Sequence, residues 1–288
     1  MSCAARIGLI LFSLATAGQT YAAQSFPNKP VRLIVPQAPG GGADLLARVI
    51  AQNLGEKWAQ QVVVDNRPGA GTIIATDLAA KSVPDGYTLM MGNIALAVNP
   101  ALHGKLPYDA IRDLTPIIQI VNLPTVLAVS TALPANSPSE LLTLAKKSSS
   151  RLSFGSSGNG SNGHIAGEMY SLASVMPHVH AGKLKALAVT DSKRSSHAPN
   201  IPTIGETLPG VEINNWLGIL GPAGIQASLA DRLNRDVLAA TRVPQVRERL
   251  SSQGFDIQGG TRAEFAQLIR SDTGKYTKVI REAGLKAN

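Results

Sequence analysis

Apolar and polar positions follow two rhythms along this chain. Val31 to Pro36 is a short apolar run, the apolar residues recur at helical spacing from Leu45 to Leu54 within a helical stretch Asp44 to Lys57, and Val62 to Val64 is extended again. The beginning is therefore strand, helix, strand. The same reading predicts a helix at Ile73 to Lys81, a turn at Pro84-Asp85-Gly86 and a strand at Tyr87 to Met91. Asn99-Pro100 and Leu106-Pro107-Tyr108 read as an irregular linker, after which Ile117 to Val121 and Val126 to Val129 are extended on either side of Asn122-Leu123-Pro124, a crossing into a second lobe. There the pattern predicts a helix at Pro138 to Lys147, strands at Leu152 to Phe154 and Leu184 to Val189, and a helix at Ile165 to Leu172. Trp216 to Leu220 reads as the return crossing, and the tail turns helical at Leu229 to Ala240, Pro244 to Ser251 and Ala263 to Ala283. Repeated βα alternation with two crossings predicts open α/β lobes, each built from discontinuous stretches of chain.

Two of the strand-to-helix junctions carry chemistry. In Gln37-Ala38-Pro39-Gly40-Gly41-Gly42-Ala43-Asp44 the glycines let successive backbone N–H groups crowd toward one point. The orphan donors of the first helical turn face the same way, so an anion is held without a basic side chain. The plainer alternative is a tight turn in which Asp44 caps the helix. A second copy favours the cradle: Gly155-Ser156-Ser157-Gly158-Asn159-Gly160 again leads from a short strand toward a helix, with His164 in its first turn as a ligand contact or a cap. Serine hydroxyls in such a loop donate well to carboxylate oxygens. Two cradles far apart in the chain suggest two lobes facing one ligand.

Composition narrows the function. With 288 residues, 44% hydrophobic and 16% charged, the chain folds and has the length for two lobes. Arg6, the apolar stretch Ile7 to Ala17 and the small residues Ala22-Ala23 read as a secretory signal peptide over residues 1–23, too short to span a bilayer, which takes roughly 20 apolar residues. The single cysteine, Cys3, falls inside it, which leaves the mature chain without disulfides or thiolate chemistry. A net charge of +8 assists capture of anions, but aromatics are 4% of the chain and no basic stripe is interleaved with them, which argues against nucleic acid. No Gly-x-Ser-x-Gly elbow or paired-carboxylate signature occurs, Ser156 and Ser157 have no base beside them, and His178-Val179-His180 reads as a helix end rather than a metal pair. No catalytic residue, metal or cofactor is expected. A binder leads an enzyme.

Phe26 to Pro36, Pro39 to Asp44, Val63 to Gly71, Pro84 to Leu89, Lys105 to Tyr108, Gly155 to Gly160 with His164 to Glu168, Ala181 to Thr190 and Ile201-Pro202-Thr203 carry a resemblance over nearly all of the mature chain. The sequence resembles the extracytoplasmic solute-binding proteins of the tripartite tricarboxylate transporters, the Bordetella uptake gene family. The resemblance implies a two-lobed periplasmic-binding-protein-like α/β clamp with open, mostly parallel sheets. Lobe 1 would comprise residues 24–123 and a return segment 218–288, and lobe 2 residues 124–217. It further implies a periplasmic protein, monomeric when intact, that captures a small carboxylated solute for a small and a large membrane subunit. Its ligand-binding positions fall on Gln37, Gly40, Gly41, Gly42 and Asp44 in the first loop and on Gly155, Ser156, Ser157, Gly158, Asn159, Gly160 and His164 in the second.

Three departures from the family pattern qualify these expectations. Gln37 stands where an aromatic or small residue is frequent, and Thr72 where glycine is common. More seriously, a strand–helix–strand unit is missing near residues 172–177, and such a unit needs about 30 residues. Lobe 2 is therefore expected to be shortened, with fewer strands than lobe 1 and a helix break at Met176-Pro177. Gly92 and the two crossings are expected to act as hinges. The alternatives are a degenerate member that binds weakly or not at all, and an enzyme on the same fold.

Overall fold

The apolar run at the head of the chain becomes β1 (Val31–Val35), one strand in from the edge of a six-stranded sheet ordered β2-β1-β3-β8-β4-β9. The computed structural model describes residues 26–147 and 169–285. The other strands of this sheet are β2 (Val62–Asn66), β3 (Thr88–Asn93), β4 (Leu114–Asn122), β8 (Trp216–Pro222) and β9 (Asp256–Ile257). Helices α1 (Gly42–Trp58), α7 (Ala227–Arg242) and α8 (Pro244–Ser252) cover one face, and α2 (Ile73–Ala80), α3 (Ala95–Leu102) and α9 (Arg262–Glu282) the other. Strand β8 is buried along its whole length. Its side chains alternate as a strand sandwiched between layers must: Leu217 and Ile219 join the core under α1 and α7, while Trp216 and Leu220 join Phe265 and Ile269 of α9. Between them, Gly218 lies where a Cβ would meet the ring of Phe265 at 2.5 Å and the carbonyl oxygen of Ile118 at 2.6 Å, so only glycine lets the ring and the neighbouring strand approach this closely.

The second lobe contains the three-stranded sheet β6-β5-β7, formed by β5 (Thr125–Ser130), β6 (Met169–Ser171) and β7 (Leu184–Val189). Helix α4 (Pro138–Lys147) and the short α6 (Ile204–Thr207) belong to this part of the chain, and α5 (Leu172–His180) packs on its sheet. The chain passes from β4 to β5 through Leu123-Pro124 and returns at Trp216. Two backbone bonds tie these crossings together, Leu123 N–H to Asn215 O (2.8 Å) and Ile213 N–H to Thr190 O (2.8 Å).

The expectation of mostly parallel sheets is wrong. Among the described strands, β1–β2 and β1–β3 pair in parallel, whereas β3–β8, β4–β8 and β4–β9 are antiparallel, as are both pairings of the second sheet. The physical reason is the route of the chain. Helical crossovers force parallel neighbours only where a βαβ unit is closed, at β1-α1-β2 and onward to β3. Strand β8 instead arrives after the excursion through the second lobe and inserts between β3 and β4, running against both.

Local expectations fail at four further places. Met169–Ser171, expected in a helix, is an edge strand against Thr125 to Leu127. The break at Met176-Pro177 is absent, because α5 continues through Pro177 to His180. Its apolar face, Leu172, Val175, Met176 and Val179, packs against Val126, Val189 and Ala186, and the turn beyond proline closes with Ala181, Gly182 and Lys183 amides donating to the carbonyls of Pro177, Val179 and His178. Those bonds and contacts offset the one backbone bond that Pro177 cannot make. The presumed linker around Asn99-Pro100 is helix α3, buried against α9, and the short strand β9 was not foreseen. The predicted signal peptide and the strand at Leu152 to Phe154 lie outside the described residues.

Candidate solute-binding site

The parallel strands β1, β2 and β3 end at the same edge of the first sheet, and the loops that follow them form one side of the site. In the first loop Asp44 is only 2% exposed. Its carboxylate accepts from the Gly40 N–H (2.9 Å), from Arg48 Nε (3.0 Å) and from Asn66 Nδ2 (3.0 Å), while Asn66 Nδ2 also donates to the Gln37 carbonyl (3.0 Å). Burial acts to raise the Asp44 pKa, but the Arg48 hydrogen bond, the Gly40 amide, Asn66 and the Arg48 charge outweigh it and hold the group below its ordinary range. Asp44 is thus the anchor of the loop and not the helix cap. The cap position is Gly41, and no side chain caps α1.

This sorts the loop's donors. The Gly40 amide is turned inward to Asp44, with Gly40 at φ +85°, a conformation that favours glycine. The Gly41 amide reaches only the Ala38 carbonyl, at 3.4 Å. The first-turn amides of Gly42, Ala43 and Asp44 have no side-chain cap and lie at the positive end of a 17-residue helix. Chemically this is an anion-binding end. Gly41 itself is extended, at φ −74° and ψ 165°, and a Cβ there would meet Ala38 O at 3.5 Å, an ordinary contact. Valine is therefore compatible with the backbone shape at this position.

The next loop runs from Asn66 into Gly69, Ala70, Gly71 and Thr72, all at positive φ. Ala70 and Thr72 are strained there, since a Cβ disfavours this region. Three bonds hold the turn: Thr72 N–H to Gly69 O (3.0 Å), Thr76 Oγ1 to Thr72 O (2.9 Å) and Asn99 Nδ2 to Gly71 O (2.9 Å). Asn66 and fully buried Asn99 are the organising residues that sequence reasoning missed. A buried asparagine in an otherwise apolar stretch was the available signal for Asn99. Arg67 pairs with Asp65 at 2.9 Å, and Asp65 also receives Arg32. After β3, Asn93 Oδ1 accepts from the Ala95 amide at 3.0 Å and so starts α3.

The second predicted cradle, Gly155, Ser156, Ser157, Gly158, Asn159, Gly160 and His164, lies outside the described residues. A cavity of about 660 Å3 opens between the loop after β7 and the α8–β9 segment, with Phe255 in its wall. Phe255 also backs the start of α1, where a Cβ on Gly42 would meet its ring at 3.7 Å. None of Gln37 to Asp44 lines this cavity. Among the described residues no group of three or more His, Cys, Asp or Glu side chains is placed to hold a metal, and His178 and His180 are exposed at the end of α5.

The family model described as "Tripartite tricarboxylate transporter family receptor" matches residues 46–173 and 161–285. The two matched segments overlap at 161–173. A Pseudomonas protein encoded in the tcbD–tcbE intergenic region is 32% identical over 316 residues, covering 98% of this chain and 94% of the relative. That alignment is longer than the 288 residues present here. A solved periplasmic transporter is 30% identical with a TM-score of 0.78, covering 92% of this chain and 100% of that one. An R. palustris protein solved with adipate is 29% identical with a TM-score of 0.79, covering 91% and 99%.

Proposed function

Because this chain belongs to the tripartite tricarboxylate transporter receptor family and is a periplasmic solute-binding protein rather than an enzyme, we propose that it captures a small dicarboxylate at the start of α1. The reading rests on one observation: the first-turn amides of Gly42, Ala43 and Asp44 are uncapped and held in place by the buried Asp44 carboxylate. Gln37, Gly40 and Gly41 shape the approach. Gly155 to Gly160, the Ser156 and Ser157 hydroxyls and His164 are the proposed grip from the second lobe. The relative solved with adipate supports the dicarboxylate class. Closure about Gly92 and the two crossings would then present the loaded protein to the small and large membrane subunits, with the solute favouring the closed population.

The test is a thermal-shift and titration series of the mature chain with adipate and other small carboxylates, repeated on Gly41→Val. Valine fits the extended backbone at this position, so the variant should fold with a melting temperature close to the parent's. Its methyl groups crowd the approach to the helix start, and affinity should fall at least roughly tenfold, about 1.4 kcal/mol. Equal affinity in the folded variant removes the first loop as the anchor. One other reading is a degenerate member whose second grip is lost, the alternative that the shortened stretch near residues 172–177 raises. That reading predicts no stabilisation of the folded parent by any carboxylate.

A further inference from the structure

The lobes touch at a polar clasp beside the 660 Å3 cavity. On the second-lobe side is the loop that follows β7, and on the first-lobe side is Asp256 of β9. Asp256 accepts from Ser196 Oγ at 3.0 Å and from Ser195 Oγ at 3.4 Å, and His197 Nε2 stands 3.5 Å away. The same loop carries Asp191, which is 8% exposed and lines the cavity wall together with Asp256. Among the described residues no side chain donates to either Asp191 carboxylate oxygen, the Thr125 and Asp191 amides approach without completing a well-formed bond, and both oxygens are sealed from solvent. A buried, unpartnered carboxylate is costly, so the group stays neutral if it can.

We infer that Asp191 and Asp256 form a proton-operated wedge between the lobes: with Asp191 protonated the clasp closes, and with Asp191 ionised two carboxylates repel across the junction and the lobes part. The inference goes beyond solute capture and needs no ligand.

Burial pushes the Asp191 carboxyl up from 3.8 to about 7, the Asp256 charge adds to this, and the backbone amides of Thr125 and Asp191 pull it back only in part. Among the described residues the charged surroundings do not supply a counter-ion. Glu212, before β8, raises it further, and Tyr276 of α9 is a neutral phenol whose own ionisation Asp191 opposes. Lys275 of α9 is engaged by Glu212 (3.2 Å) and Asp272 (3.5 Å), and Arg194 by Glu206 (2.6 Å). Lys193, His197, Arg247 and Glu248 line the cavity, and all four are exposed to solvent, where their fields are screened. The sign follows. In the open form Asp191 is solvated and ionises near its ordinary value, whereas in the closed form it keeps its proton to about 7. The closed form is therefore favoured at low pH and loses ground as pH rises toward 7.

The experiment uses the ligand-free mature chain and has two readouts. Carbon-13 NMR of the Asp carboxyls gives the Asp191 midpoint, and small-angle scattering from pH 5 to pH 8.5 gives the radius of gyration. The parent should titrate Asp191 near 7 and expand over the same interval. Asp191→Asn should stay compact throughout, and Asp256→Asn, which keeps an acceptor for Ser196, should lower the Asp191 midpoint. An Asp191 midpoint near 4, a radius independent of pH, or the same expansion in Asp191→Asn overturns the wedge. Should Asp191→Asn fail to fold, the parent titration and Asp256→Asn decide alone. Since no solute is added, failure here leaves the carboxylate reading intact, and failure of that reading leaves the wedge to stand on its own data.

Discussion

Trp216→Ala should be the most damaging single substitution in the first lobe, costing roughly 3–5 kcal/mol, the range for deleting a large buried aromatic side chain. Trp216 has no exposed surface, its ring meets Phe265 edge-on with centroids 5.2 Å apart, and its Nε1–H donates to Asp272 Oδ2 at 2.9 Å. Its removal opens a cavity at the point where the chain re-enters the first sheet. It also leaves Asp272, only 2% exposed, with Lys275 at 3.5 Å as its remaining charged partner. Burial already raises the Asp272 pKa, against the Trp216 and Lys275 bonds, and losing the indole donor raises it further. Urea unfolding of parent, Trp216→Ala and Trp216→Phe separates the contributions. Trp216→Phe keeps most of the ring contact and should lose only about 1–3 kcal/mol, the cost of one unsatisfied buried acceptor. Equal losses in the two variants would mean that the hydrogen bond, not the packing, carries the site.

Asp44→Asn should strike both stability and binding. The side-chain volume is kept, but the carboxamide has one acceptor oxygen where the carboxylate used two, Oδ2 for Gly40 and Arg48 and Oδ1 for Asn66, so an NH2 must face a donor and the charge that Arg48 meets is lost. A charge-assisted buried hub of this kind is worth about 1.5–3 kcal/mol per bond at the upper end, and a net loss of about 2–3 kcal/mol is expected. With the charge gone and one donor of the Gly40, Arg48 and Asn66 set left facing an NH2, the turn is held less firmly, and affinity for a carboxylate should fall roughly tenfold, about 1.4 kcal/mol. The pH dependence has a definite sign. The folded pKa of Asp44 lies below 3.8, so its stabilisation is present above that value and is lost as pH falls through the folded pKa. The stability gap between parent and Asp44→Asn should therefore be widest near neutral pH and narrow in acid. A gap that widens on acidification would contradict the assigned role.

Much of this molecule was legible in the residues. The apolar runs at Val31, Val62 and Leu184 and the amphipathic tail are strands and helices because their spacing matches the faces they bury. Strand direction was not legible, because periodicity records which face is buried and not which way the chain arrives; β8 owes its antiparallel setting to a detour through another lobe. Pro100 and Pro177 misled in the same way. Each reads as a stop, yet Leu96, Val98 and Leu102 on one helix and Val175 and Val179 on the other bury enough apolar surface to carry a short helix past the lost bond. At the site the glycine run identified the loop, but the division of labour within it depends on contacts distant in sequence. Asn66 reaches back to Gln37 and Asp44, and Asn99 to Gly71, and no local motif announces either bond.

The central claim is that a carboxylate is held by the uncapped backbone amides at the start of α1. Nitrogen-15 NMR of the mature chain, titrated with adipate and with whichever carboxylate stabilises it most, reads those amides directly. The account predicts that the largest saturable shifts in the first lobe fall on Gly42, Ala43 and Asp44, with Gly40 moving less because its N–H already belongs to the Asp44 carboxylate. Saturable binding that leaves Gly42, Ala43 and Asp44 unshifted, with its shifts confined to the cavity beside Asp191 and Phe255, would contradict it.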